Sequence, residues 1–354
     1  MKLIDYSYQD KAAQIVLKNA LNTSYKASIL AACPNAGKTT ISHKIINNYI
    51  SMFPKANIVV LTEGQNTLKN QYLNELNTPN VDIKFTYGSF GSGAQVQVGL
   101  PQSINNLKWD KIDLILVDEA HNFYLADMVQ SIIKKLNPKH QILMTGSPTK
   151  YNLYNKDVFT KNYGIHYIAA DELKEMGVFS PVDVDVAKVS YKKNPTQTIR
   201  EVLSQATLNN DNLSKIMVAC PNISYARQVG EYLISIGRKV SLSTSKNDKN
   251  DIQIQKFKSG ETDTLIVVGK GVLGFNDKNM TFLADLRSSS NLDTSYQLFA
   301  RVLRTHPEGI RKTYYRVADS DYNKQVITLH KMISLMQKDI FKGFTGNNIK
   351  LEMI

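Results

Sequence analysis

At 354 residues the chain is too long for one hydrophobic core and too short for three, so two domains are expected. Hydrophobic residues at 42% and charged residues at 21% exclude disordered, fibrous and disulfide-scaffold classes, and no apolar run approaches the roughly 18 residues of a membrane span. Lys+Arg 43 against Asp+Glu 31 leaves a net charge of +12, which favours a polyanion as partner.

The start of the chain reaches Asp5 too early for a secretory signal. Its two cysteines, Cys33 and Cys220, make neither a disulfide framework nor a zinc site, so a cytoplasmic setting, or host cytoplasm for a viral protein, is expected. Arginine is confined to the second half: Arg200, Arg227, Arg238, Arg287, Arg301, Arg304, Arg311 and Arg316. A chain otherwise rich in lysine spends arginine where a planar fork is needed.

Short apolar runs alternate with amphipathic stretches, the pattern of parallel strands joined by crossover helices. In the first half, strands are expected at 28–33, 57–62, 96–99, 114–117 and 141–145, with helices at 39–52, 67–76 and 125–135. In the second, strands fall at 215–219, 239–243, 264–268, 281–286 and 313–318. Helices there are expected at 224–236, 251–258, 294–303 and 322–338. Gly177 and Pro181 punctuate a linker near Asp171–Pro181, dividing the chain into 1–178 and 179–354. The run Ala32, Cys33, Pro34, Asn35 returns as Ala219, Cys220, Pro221, Asn222, a weak echo of an internal duplication.

Three segments carry chemistry. The first is Ala32 to Thr39, a phosphate-binding loop with alanine at its first glycine position, set between a strand and a helix. Backbone N–H groups of Asn35, Ala36 and Gly37 and the helix start at Lys38, Thr39 and Thr40 suit a phosphate cradle. Lys38 is placed for the β- and γ-phosphates of ATP and Thr39 for Mg²⁺. The second segment runs from Leu114 to His121, where an apolar strand delivers Asp118 and Glu119 at its carboxyl end. Asp118 suits Mg²⁺ and Glu119 the activation of a water. The third is Gln297 to Arg304, read as the end of one helix on which Arg301 and Arg304 share a face. Its other residues are mostly apolar, so the two arginines need an anion.

In order and spacing these segments resemble those of a superfamily 2 helicase over nearly the whole chain. Tyr8 and Gln9 look like the nucleotide-specificity glutamine, and Ala32–Thr39 like motif I. Leu61–Gln71 is similar to motif Ia and Gly99–Ile104 to motif Ib. Asp118–His121 reads as a DEAH motif II and Thr145–Pro148 as motif III. Ile216–Asn222, Val268–Asn276 and Gln297–Arg304 resemble motifs IV, V and VI. Departures fall at Ala300 for the usual glycine, Gln65 for threonine, Tyr6 for arginine and Asn276 for aspartate. Motifs III and VI are closer to the branch of type III restriction motors, repair translocases and phage recombination helicases than to the RNA-directed DEAD-box group.

The resemblance implies an α/β protein of two tandem RecA-like domains, each a mostly parallel sheet flanked by helices. ATP with Mg²⁺ is expected between them, Gln9, Lys38, Thr39, Asp118 and Glu119 on one side and Arg301 and Arg304 on the other. It implies nucleic-acid contacts at Gly64, Gln65, Gln102, Ser103, Asn222, Thr244 and Gly271, with coupling through His121, Thr145, Ser147 and Gln297. The expected activity is an ATP-dependent DNA helicase on single-stranded or forked DNA, beside replication or recombination proteins. A duplex translocase without strand separation and an RNA helicase are the alternatives, and no membrane partner is expected.

Overall fold

The computed structural model describes residues 5–62, 84–109, 111–146, 162–244, 246–248, 251–269, 277–287, 289 and 291–334, without the side chains of Asn122 and Asp293. The chain divides into two compact units between Glu172 and Leu173. The expected helix at 67–76 and the candidates Gly64, Gln65, Ser147 and Gly271 lie outside the described residues.

The first unit holds β1 (Ala27–Ala32), β2 (Ile58–Leu61), β3 (Tyr87–Ser89), β4 (Val96–Gly99), β5 (Leu114–Val117), β6 (His140–Thr145) and β7 (Tyr163–Ile168). Among the described residues every pairing of these strands is parallel, in the order β3-β4-β2-β5-β6-β1-β7. The central strands β1, β2 and β5 are buried along their whole length. That is why they read as continuous apolar runs and not as alternations. Each fully buried Ile, Val or Leu contributes roughly 1.5–3 kcal/mol. Ala31 stands opposite Thr145, and Val117 opposite both Leu61 and Leu143. This register brings the loops after β1, β5 and β6 together at the carboxyl edge.

The second unit holds β8 (Val182–Lys188), β9 (Ile216–Ala219), β10 (Val240–Thr244), β11 (Thr264–Val268), β12 (Phe282–Asp285) and β13 (Lys312–Ala318). They too pair only in parallel, in the order β10-β11-β9-β12-β13-β8. The expected class, α/β with parallel sheets flanked by helices, is the one observed. The internal echo does not extend to topology. Both Ala-Cys-Pro-Asn runs follow a central strand, yet β1 lies between the last two strands of its unit while β9 lies between β11 and β12. Asn35 takes a left-handed φ of 70°, whereas Asn222 is extended and accepts from Tyr225 N to cap the helix Ile223–Ser235.

Arginine forks do find planar partners in this unit, but inside the protein. Arg287 grips the buried Asp285 through Nε at 2.7 Å and a terminal nitrogen at 3.1 Å. The fully buried Arg316 donates to Gln325 and to the Ser289 carbonyl. Arg238 spans Thr264 and the carbonyls of Leu213 and Asp263.

One expected helix is corrected. The segment at 294–303 is an α-helix only over Leu292–Phe299, followed by a 3₁₀ turn, Ala300–Val302. The chain then straightens, because Ser180 N donates to the Leu303 carbonyl and Thr305 N to that of Val178. Arg304 thereby enters an antiparallel bridge with Phe179. Arg301 and Arg304 are not two positions on one helical face.

Candidate functional site

Gly37 opens the helix Lys38–Met52 at φ 81° and ψ 38°, a left-handed conformation that costs an L side chain roughly 1–2 kcal/mol. A Cβ added there would meet Gln9 Nε2 at 2.6 Å. The backbone requires glycine, and a Cβ would also oblige the Gln9 amide to swing aside. Ala32 replaces the loop's other glycine at little cost, because it is still strand, paired with Ile168. Gln9 is buried on the helix Ser7–Leu21, whose Tyr8 hydroxyl donates to the Ala36 carbonyl at 2.7 Å. Gln9 in turn donates to the Tyr8 hydroxyl at 3.3 Å. Helix and loop are thus joined by two side chains. Burial pushes the Cys33 thiol up, against the pull of nearby Lys38, so this cysteine is a packing group and not a nucleophile.

At the end of β5, Asp118 accepts from the Glu119 backbone N–H at 3.0 Å. Glu119 takes φ 48° and ψ 39°, an uncommon conformation for a residue with a side chain. The turn aims Glu119 back across the sheet edge. Its Oε1 lies 3.5 Å from Lys38 Nζ and its Oε2 3.4 Å from His121 Nδ1. His121 Nδ1 is also 2.9 Å from the hydroxyl of the fully buried Thr145. Lys38, Glu119, His121 and Thr145, drawn from three separate loops, therefore form one contiguous polar line. Gly146 extends it, since a Cβ there would stand 3.0 Å from Lys38 Nζ. Thr39 and Thr40 occupy the first turn of the helix Lys38–Met52 at the same edge.

The remaining candidates are more dispersed. Gln102 is exposed, and the Ser103 hydroxyl closes a local turn with the backbone of Leu100. In the second unit the Thr244 hydroxyl donates to Asn247 Oδ1 at 2.7 Å. Thr244 lines a groove with Arg227, Lys246 and Asn247, and Asn222 directly precedes Ile223 of the same lining. Gln297 and Arg301 are buried on the segment that follows β12. Arg304 stands among cations. With burial first, its charge helps to depress Lys278 and contributes to lowering Lys312 to about 8. Lys278 and Lys312 were not singled out by sequence, and nothing in their spacing marks them.

Residues 2–150 match the family described as type III restriction enzyme, res subunit. The chain resembles a superfamily 2 motor of the type III restriction kind. The match spans both Ala32–Thr39 and Asp118–His121. Among curated protein sequences none matches. Among solved structures, S. cerevisiae Dbp5 bound to RNA and ADP BeF3 aligns with a TM-score of 0.67 at 15% identity, over 96% of this chain and 93% of that one. A fragment assigned as the HsdR subunit of a type I restriction enzyme from Vibrio vulnificus YJ016 aligns with a TM-score of 0.67 at 17% identity. It covers 91% of this chain and 68% of that one. At such identities the likeness concerns fold, and the fold is that of two tandem RecA-like domains.

Proposed function

We propose that this superfamily 2 motor is an ATP-dependent DNA helicase whose hydrolysis drives movement along, and separation of, nucleic-acid strands. The observation that carries the reading is the line from Lys38 through Glu119 and His121 to Thr145, beside a helix opened by Gly37. Backbone N–H groups at a helix N-terminus with a lysine on its first turn are the chemistry of a polyphosphate cradle. In this reading Lys38 binds the β- and γ-phosphates, and Glu119 orients the attacking water and takes its proton. Thr39 and Asp118 offer hard oxygen donors suited to Mg²⁺, which when bound neutralises charge on the phosphates. Gln9, held against Gly37, would read the base, and Arg301 and Arg304 would meet charge developing on the transferred phosphoryl group.

Thr145 touches His121, which touches Glu119, so a movement of the loop after β6 would reach the hydrolytic carboxylate. We place coupling in that pair, with Ser147 and Gln297 as further members. Nucleic acid would be held at Gly64, Gln65, Gln102, Ser103, Asn222, Thr244 and Gly271 by backbone and small polar groups, without reading sequence. Phosphate release from ATP and Mg²⁺, with and without DNA, tests the motor. Strand separation on forked DNA against triplex displacement then separates a helicase from a duplex translocase. Dbp5 is bound to RNA, so stimulation by RNA and not DNA would replace the substrate assignment. Absence of hydrolysis with either would overturn the motor itself.

A further inference from the structure

Because every pairing among the described strands of the first unit is parallel, the segments entering those strands lie on one edge of the sheet, opposite the phosphate loop. Five of those segments carry a lysine just before the strand: Lys26 before β1, Lys55 before β2, Lys84 before β3, Lys111 before β5 and Lys139 before β6. All five are exposed. Strand order spreads them from β3 to β1, five steps of about 4.8 Å, or roughly 24 Å of edge. Among the described residues the carboxylate on this edge is Asp113, which already pairs with Lys139 at 2.8 Å and accepts from Asn57 N at 3.0 Å.

Backbone bonds fix the row: Lys26 N donates to the Asn162 carbonyl, the Lys111 carbonyl accepts from Asn57, and Lys84 N donates to Asn47. Among the described residues, most acids of this unit lie at the other edge. Asp118, Glu119, Asp127, Asp171 and Glu172 all follow strand ends or open helices. Helix C-termini also converge on the lysine edge and are complemented by cations. One helix terminus needs no lysine on every neighbouring strand, however, and the repeat here follows the sheet.

We propose that this edge is a second nucleic-acid surface, which holds a duplex by its phosphates while the nucleotide site works at the opposite edge. Lysines are flexible point charges without a fork, suited to a backbone read by charge and not by sequence. A duplex presents one phosphate charge per about 1.7 Å of axis, dense enough for a row of this length to engage several at once. The charge row would act independently of hydrolysis.

The test uses the full-length protein and a blunt 20-base-pair duplex, comparing wild type with Lys55→Gln/Lys111→Gln. Plots of log affinity against log salt should lose about 0.9 in slope for each lysine, nearly two for the pair. A charge-matched control, Lys193→Gln/Lys324→Gln in the second unit, should leave the slope unchanged, as should basal ATP hydrolysis in the edge variant. Repeating the comparison in a Lys38→Ala background keeps a failed motor assignment apart from a failed surface. An unchanged slope, an equal loss in the control, or a loss seen with single strands alone would overturn the proposal.

Discussion

Lys38 Nζ and Glu119 Oε1 lie 3.5 Å apart, so the cation proposed to bind phosphate and the carboxylate proposed as base are each other's partners. In the proposed motor, nucleotide binding would draw Lys38 from the carboxylate toward phosphate and free Glu119 for water. Glu119→Gln removes that competing charge and the base together. It should bind ATP at least as tightly as wild type yet turn over about 10²–10⁴-fold more slowly. Lys38→Ala should bind poorly and not hydrolyse. Nucleotide titration beside single-turnover hydrolysis checks both, and normal turnover by Glu119→Gln would reverse the roles given to the acids.

Gly37 is constrained by its φ of 81°, and a Cβ there would displace Gln9 Nε2, 2.6 Å away. Gly37→Ala should therefore lose nucleotide affinity and melt lower. Adding Gln9→Ala relieves the steric part and leaves about 1–2 kcal/mol of backbone strain. Thermal midpoints of the two variants should differ accordingly. Identical midpoints would mean Gln9 does not press on the loop.

The Thr145 hydroxyl and His121 are 2.9 Å apart in a buried setting. Thr145→Val keeps the volume and removes the hydrogen bond. Basal hydrolysis should stay within a few-fold of wild type, while stimulation by nucleic acid should drop about tenfold or more, the change that loss of about 1.4 kcal/mol of coupling gives. Loss of basal and stimulated rates in equal proportion would make the contact structural only.

His43, buried on the helix Lys38–Met52, is lowered by burial from 6.5 to about 4. Between those values the unfolded chain binds a proton that the folded chain refuses. Stability therefore falls as pH drops through that window. At pH 5 the loss is about 2 kcal/mol relative to pH 7.5. Urea midpoints at the two pH values should show it for wild type, and His43→Leu should flatten the difference. An equal slope in the variant would assign the acid sensitivity elsewhere.

The residues that sequence placed best are those whose chemistry needs a fixed local context. The loop at Ala32–Thr39 and the acids at Asp118 and Glu119 each follow a buried apolar strand, and the parallel register carries them to one edge. Edge elements were harder to read. β8 alternates Val182, Val184 and Val186 with Asp183 and Asp185, a period-two signal that the linker punctuation obscured. The helix Ser7–Leu21 buries Tyr8, Ala12, Ala13, Val16, Leu17 and Ala20 at helical spacing, although the sequence reading stopped at Tyr8 and Gln9 and placed no helix there. The end of the helix Leu292–Phe299 was not legible at all, because what stops it is a partner in the distant segment Val178–Ser180.

That partner changes how the arginine pair is tested. Arg301 is buried in a 3₁₀ turn and Arg304 is held by the bridge to Phe179, so the two sit in different backbone settings. An arginine supplied to a phosphoryl-transfer site is worth roughly 10³–10⁵ in rate, or about 4–7 kcal/mol. A solvated arginine is worth less than about 1 kcal/mol. Lysine restores the charge but not the fork, so Arg301→Lys and Arg304→Lys should each remain badly impaired in ATP hydrolysis. Their responses should differ in pH dependence. Arg304 bears on Lys312, held near 8 chiefly by burial, and Arg304→Gln removes one of the cations that depress it. In that variant Lys312 should titrate closer to its ordinary 10.5, so the second unit should gain less stability between pH 8 and pH 10 than wild type does. Urea midpoints across that range read this separately from rate. If both lysine variants hydrolyse ATP near wild-type rates, the pair serves the fold and the proposed transition-state role is wrong.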